Sequence, residues 1–216
     1  MNKSGNDMSI GVIGLGFVGG SMLKSFLLKK ANASGYDKFK DGGIGTFESM
    51  LDKDILFLAL PTLFDEERNA YNQDAIYEVC EKLEAEKFSG VVVIKSTVEP
   101  ESTNKLAAKF SGLTFIHNPE FLTARTAFQD FHSQKHIVLG SGPRTLEKDC
   151  DKVAAFYKEF YPDAEISRCS AMESESMKIF CNCFYASKIQ VFNEYYLLCQ
   201  KNGSDYKRIV ELMLKN

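Results

Sequence analysis

Continuous apolar runs alternate with amphipathic stretches from Ser9 to about residue 167. Asp54-Ile55-Leu56-Phe57-Leu58-Ala59-Leu60 and Gly90-Val91-Val92-Val93-Ile94 are apolar without a polar interruption. That is the pattern of parallel strands buried on both faces rather than of half-exposed strands. Strands are predicted over 9–13, 32–36, 55–60, 90–94, 113–117, 136–140 and 164–167. Helices fit between them at 17–29, 74–87, 101–110, 121–129 and 144–160, and the short crossover from Asp37 to Asp54 leaves room only for a brief helix over 46–51. Such alternation predicts an α/β fold with a doubly wound parallel sheet.

The pattern changes after Ser170. Ser170-Ala171-Met172-Glu173 has the form of a capping box, and neither Gly nor Pro recurs before Gly203. One long helix over 171–201 is predicted, followed by a short one over 205–214. Phe180, Cys183, Phe184, Ser187, Val191, Tyr195 and Leu198 share one face, and Glu175, Lys178, Asn182, Ala186, Ile189 and Asn193 share the opposite one. A helix apolar on more than one side is expected to lie between two bodies, which favours a homodimer built through it. The expected division is a disordered tail over 1–8, a sheet domain over 9–169 and a helical segment over 170–216.

Gly14-Leu15-Gly16-Phe17-Val18-Gly19 sits between the first strand and the first helix. In a G-x-G-x-x-G turn the first glycine permits the tight turn, the second lets a diphosphate approach the backbone, and the third lets helix and strand pack closely. Phosphate then meets the free N–H groups and positive dipole end of the helix. Asp37 closes the second strand about 20 residues on, where a carboxylate accepts from ribose hydroxyls and repels a 2′-phosphate. The sheet domain is therefore read as Rossmann-like and NAD-binding, with NAD favoured over NADP.

Composition narrows the class. The chain has 216 residues, 44% hydrophobic and 25% charged, with a formal net charge of −3. The charge argues against a general nucleic-acid binder. No apolar run reaches the length of a membrane span, Met1 to Met8 is polar, and a cytoplasmic location is expected. The six cysteines, Cys80, Cys150, Cys169, Cys181, Cys183 and Cys199, match no zinc spacing and are read as reduced thiols, with no metal site.

Ligands in such sheets bind outside the carboxyl ends of the strands. Three successive strands end in polar clusters: Leu60-Pro61-Thr62, Lys95-Ser96-Thr97-Val98-Glu99-Pro100 and His117-Asn118-Pro119-Glu120-Phe121-Leu122. Ser96 and Thr97 offer hydroxyls to a nicotinamide or a substrate oxygen, and Glu120 offers a carboxylate near the reacting carbon. Turn chemistry explains any one cluster; three in succession favour one cleft.

With these residues in view, the chain resembles the UDP-glucose/GDP-mannose dehydrogenase family. The resemblance rests on Gly14-Leu-Gly-Phe-Val-Gly19, Pro61-Thr62, Lys95-Ser-Thr-Val98, Asn118-Pro-Glu-Phe-Leu122 and Glu175-x-x-Lys178-x-x-x-Asn182-x-Phe184-x-Ala186-x-Lys188-Ile189, followed by Asn193-Glu194, in the family's order. It implies oxidation of a nucleotide-sugar C6 alcohol to a carboxylate by two NAD⁺, through a thiohemiacetal and a thioester on an enzyme cysteine. It also implies that Gly14, Gly16, Phe17, Val18, Gly19, Asp37, Pro61, Thr62, Ser96 and Thr97 line the NAD site. Glu120 would be a general base, and Lys178 and Asn182 would stabilise the oxygen that becomes negative. The i, i+4 spacing of Lys178 and Asn182 independently suits a two-donor oxyanion site.

Three departures accompany the resemblance. Ala124 and Arg125 stand where the family pattern continues with Glu-Gly, and the crossover after Asp37 is shorter. The family's Gly-Phe-Gly-Gly-x-Cys motif lies beyond the long helix, and neither it nor the family's third, nucleotide-sugar domain occurs within these 216 residues. Cys181, Cys183 and Cys199 lack that motif's surroundings, so full four-electron turnover by this chain alone is not expected. A fragment is favoured over a naturally short homologue. Two other readings stand beside it: a two-electron dehydrogenase of the β-hydroxyacid/6-phosphogluconate type, and a non-catalytic NAD-binding module.

Overall fold

The computed structural model describes residues 5–215. The chain comprises two compact units, Met1–Lys178 and Ile179–Asn216. The first opens with β1 (Ile10–Ile13), α1 (Phe17–Leu28), β2 (Ala33–Tyr36) and β3 (Ile55–Leu58). A two-stranded hairpin follows, β4 (Phe64–Asp65) with β5 (Ala70–Tyr71), and then α2 (Asp74–Ala85), β6 (Val91–Ile94), α3 (Ser102–Lys109) and β7 (Thr114–His117). The unit continues through α4 (Ala127–His132), β8 (His136–Ser141), α5 (Glu147–Phe160) and β9 (Glu165–Ser170) into α6 (Ala171–Asn202).

The main sheet has seven strands in the order β2-β1-β3-β6-β7-β8-β9. Successive strand residues point to opposite faces, so each buried strand feeds two cores. Ile55, Phe57, Val91 and Val93 join α1 and α5 residues such as Phe26, Phe156 and Tyr157 on one face. Leu56, Leu58, Val92 and Ile94 join Ile76, Cys80, Leu83 and Leu106 of α2 and α3 on the other. This two-sided burial is the physical reason for the uninterrupted apolar runs.

The sheet is mostly parallel, and it departs from the expected all-parallel form at one edge. β7 and β8 pair antiparallel, and β9 runs parallel to β8. The connection after β7 explains this. α4 has only six residues, about 9 Å at 1.5 Å per residue. It does not carry the chain back past a strand of about 13 Å, so β8 re-enters from the same end.

Other differences are local. α4 was expected at 121–129, but Thr123 N–H and Thr126 Oγ1 both donate to Asp130 Oδ2, at 2.9 and 2.8 Å, and hold residues 123–126 as a turn before the helix. The expected helix over 46–51 is a single 3-10 turn, Glu48–Met50, with Met50 fully buried. Of the expected disordered tail over 1–8, Gly5–Asp7 forms a 3-10 turn and Met8 is buried in the core; residues 1–4 lie outside the described residues.

The capping box at the head of α6 is present. Ser170 N–H donates to Glu173 Oε2 at 2.8 Å, and Glu173 N–H donates to Ser170 Oγ at 3.3 Å. In the second unit α6 ends at Gly203, whose φ of +76° suits glycine. α7 (Tyr206–Met213) follows, capped by Asp205, which accepts from Arg208 N–H at 3.1 Å. Tyr196 and Tyr206 pack edge to face with centroids 5.4 Å apart. Phe180, Phe184, Tyr185 and Ile189 are exposed. No helix among the described residues is long and apolar enough to cross a membrane.

Candidate cofactor and active site

The carboxyl ends of β1 and β3 meet where the strand order switches from β2 to β3 around β1, the place this class of sheet reserves for ligands. Gly14 has φ +88°, and a Cβ there would overlap the carbonyl of Ala59. A Cβ on Gly19 would overlap the carbonyl of Gly14, so α1 packs directly on the turn. Gly16 differs: nothing lies within 4 Å of the position its Cβ would take. It is the N-cap of α1, with no side-chain cap and no acidic residue in the first turn. The first N–H groups of the helix and its dipole are thus left for an anion in an open space.

A cavity of about 510 Å³ opens beside this turn, lined by Gly14, Gly16, Phe17, Val18, Asp37, Pro61, Tyr36, Phe39, Phe47 and Lys82 among others. Six of the residues expected in the NAD site therefore share one space. Asp37 Oδ2 accepts from Leu15 N–H at 2.7 Å, and Oδ1 accepts from Phe39 and Lys40 N–H at 3.0 and 2.9 Å. Partial burial pushes the Asp37 carboxyl up, but these N–H donors and the Lys40 ammonium outweigh it and hold it below its ordinary value. A carboxylate offers about four lone-pair sites, so roughly one remains for a ribose hydroxyl. The open glycine, the free helix N-terminus, the apolar walls and the carboxylate together fit a dinucleotide.

Thr62, Ser96 and Thr97 form a second group. Ser96 Oγ accepts from Leu60 N–H at 2.9 Å and donates to Leu60 O at 2.7 Å. Thr62 Oγ1 donates to Thr97 O at 2.7 Å. The Ser96 hydroxyl, expected to face a ligand, and the Thr62 hydroxyl tie the exits of β3 and β6 together. They set the shape of the rim; Thr97, half-buried, keeps its side chain outside these ties.

The third group gathers at the end of β7. Lys178 donates to the carbonyl of Glu120 and, at 3.1 Å, to Glu120 Oε1; the side chains are 6% and 15% exposed. Glu120 Oε2 accepts from Leu122 N–H at 2.5 Å, which fixes the carboxylate from its other side. The structure thus pairs Lys178 with Glu120. Asn182, expected beside Lys178, is exposed and belongs to the second unit.

Residues to which motif reading gave no role of their own support this group. The buried Lys95 ammonium donates to Asn118 Oδ1 at 3.0 Å and to Pro119 O at 3.1 Å. Tyr157 OH donates to the same Asn118 oxygen at 2.6 Å, and Asn118 Nδ2 donates to Val138 O at 2.8 Å. Burial pushes the Lys95 ammonium down to about 7, against the attraction of Glu120. Burial, helped by the Lys95 and Lys178 charges, also pushes His117 down to about 3; its Nδ1 lies 2.8 Å from Ser174 Oγ. Glu175 does not face solvent: its Oε1 accepts from Thr103 N–H at 2.8 Å at the start of α3. Burial pushes the Cys80 thiol up to about 12, so it is no nucleophile.

Fold and turn together define a dinucleotide-binding α/β protein. Residues 27–161 match the UDP-glucose/GDP-mannose dehydrogenase family, NAD binding domain, and the chain belongs to that family; its cofactor is NAD. It is 30% identical over 178 residues to the UDP-glucose 6-dehydrogenase AglM of Haloferax volcanii, covering 76% of this chain and 41% of that protein. It is 33% identical over 161 residues to the UDP-glucose 6-dehydrogenase of Rickettsia prowazekii, covering 71% of this chain and 36% of that one. The GDP-mannose dehydrogenase of Pseudomonas aeruginosa has a similar fold, with a TM-score of 0.84 at 20% identity over 97% of this chain and 57% of that structure. The chain thus spans well under half the length of these two sequence relatives.

Proposed function

We propose that this chain is the cofactor-binding part of an NAD-dependent nucleotide-sugar 6-dehydrogenase, of the UDP-glucose 6-dehydrogenase kind, that oxidises a sugar C6 alcohol toward the carboxylate. The observation that carries this reading is the buried Lys178–Glu120 pair at the carboxyl end of β7, in the same sheet whose β1 end holds the glycine turn. Bound NAD⁺ supplies the hydride acceptor. Gly14, Gly16, Phe17, Val18 and Gly19 shape its diphosphate seat, Asp37 accepts from a ribose hydroxyl, and Pro61 walls the cavity. Thr62 and Ser96 hold the rim from which Thr97 presents its hydroxyl.

Lys178 is the group to hold the substrate oxygen as negative charge develops on it, because a cation placed in advance in a half-dry site needs little reorganisation. Asn182, one helical turn on, is proposed as its second donor on the i, i+4 spacing. Glu120, held by Leu122 N–H and Lys178, takes up a proton at its free lone pairs, directly or through water. A homodimer through α6 is proposed from the exposed apolar side chains along it, and a cytoplasmic location from the free cysteines.

The test is product analysis with NAD⁺ and UDP-glucose, reading NADH formation and the sugar product. Hydride transfer with an oxidised C6 is expected, and Lys178→Ala lowers it about a hundredfold while NAD⁺ affinity stays within about twofold. A ketone or keto acid product from another substrate would transfer the chain to the β-hydroxyacid type. Absence of any hydride transfer would leave an NAD-binding module.

A further inference from the structure

We propose that Arg125, together with Lys40, forms a side-chain clamp on the cofactor diphosphate, reaching it from the side of the glycine turn opposite the cavity beside Asp37. The proposal rests on the NAD reading above and assigns a site that the glycine motif does not contain. A second cavity, of about 590 Å³, opens on that side. It shares Gly16 and Phe17 with the cavity beside Asp37, so an anion seated on Gly16 lies at the wall between the two. Its lining carries three cationic side chains, Lys24, Lys40 and Arg125, and no carboxylate.

Two of these cations are held in place. Lys40 Nζ donates to Leu15 O at 2.6 Å, inside the turn itself, and lies 3.7 Å from the position a Cβ on Gly20 would take. Lys24 Nζ sits 4.5 Å from the centroid of Phe128, on the opposite wall. Arg125 is exposed and has no ion-pair partner among the described residues. Three positive charges line one cavity beside an uncompensated helix N-terminus, where like charges repel and salt screens the repulsion only over distances of about 8 Å or more. An incoming diphosphate removes that repulsion and gains charge-assisted hydrogen bonds. A guanidinium suits this role because its planar fork meets two phosphate oxygens at once, which an ammonium does not. Lys40 is tied to Leu15 O and Lys24 lies over Phe128, which leaves Arg125 as the cation free to turn to the ligand.

The experiment is calorimetric titration of NAD⁺, and of adenosine as a ligand without phosphate, into the wild-type chain, Arg125→Ala, Arg125→Lys and Gly16→Asp. Arg125→Ala is expected to weaken NAD⁺ about tenfold, equivalent to about 1.4 kcal/mol, and to leave adenosine unchanged. Arg125→Lys falls between the two, and the salt dependence of NAD⁺ binding flattens in Arg125→Ala. Undiminished NAD⁺ affinity in Arg125→Ala, while Gly16→Asp abolishes binding, would overturn the clamp and leave the NAD site standing. Equal losses for NAD⁺ and adenosine would also overturn it, since they would mark a structural role. A wild-type chain that does not take up NAD⁺ would remove both the clamp and the reading beneath it.

Discussion

Asp37 accepts backbone N–H groups from Leu15, Phe39 and Lys40 and lines the cavity. Its spacing from the glycines was legible in the sequence. Its second task, holding the turn, was not, because that depends on where the loop after β2 folds back. Asp37→Ala is expected to weaken NAD⁺ about ten- to a hundredfold, the loss of a charge-assisted hydrogen bond of about 1.5–3 kcal/mol, and to narrow the gap between NAD⁺ and NADP⁺. Binding of both nucleotides measured side by side checks this; an unaltered preference would remove the ribose contact. Ser96 illustrates the limit of motif reading. A serine at a strand end reads the same whether its hydroxyl faces a cleft or, as here, the neighbouring strand's backbone. Lys95 was hidden differently: only burial and its bonds to Asn118 and Pro119 reveal that it braces the Asn-Pro-Glu turn.

At the scale of elements, strands β1, β3 and β6 were legible because burial on both faces leaves no room for polar residues. The antiparallel return of β8 was not, since direction depends on how far the short α4 carries the chain, which periodicity does not encode. The contact between β7 and α6 makes a pH prediction. His117 on β7 faces Ser174 on α6, with Lys95 and Lys178 as the charged groups acting on it, and is held down to about 3 from an ordinary 6.5. The native state keeps it neutral while the unfolded chain takes up a proton below about 6.5, so the unfolded state binds more protons and stability falls as pH drops from about 6.5 toward about 3. Lys95, held down to about 7, acts in the window above pH 7, where stability rises with pH, and does not confuse the lower one. Urea unfolding between pH 7 and pH 4 should show a steeper loss in the wild type than in His117→Asn, by up to about 1.4 kcal/mol per pH unit. Parallel slopes would show that the imidazole is not kept neutral by the fold.

At the scale of the whole molecule, the glycine turn, Asp37, the rim hydroxyls and the Lys178–Glu120 pair all belong to the first compact unit, while the second carries exposed aromatic and aliphatic side chains along α6 and α7. Family and cofactor were legible because the motifs in the first unit mark places where backbone meets ligand, which leaves little freedom in residue type. The surface of α6 was legible only as a pattern of faces, because the same apolar side chains suit burial against any partner. What unites these observations is a diphosphate seated on Gly16 at the head of α1. Titration of NAD⁺ into wild type and Gly16→Ala, with urea unfolding of both beside Gly14→Ala, tests it most directly. Gly16→Ala places a methyl in open space and should unfold within about 0.5 kcal/mol of wild type yet lose NAD⁺ binding. Gly14→Ala, strained at φ +88° against Ala59, should lose about 1–3 kcal/mol of stability. Undiminished NAD⁺ affinity in a stably folded Gly16→Ala would contradict the seat.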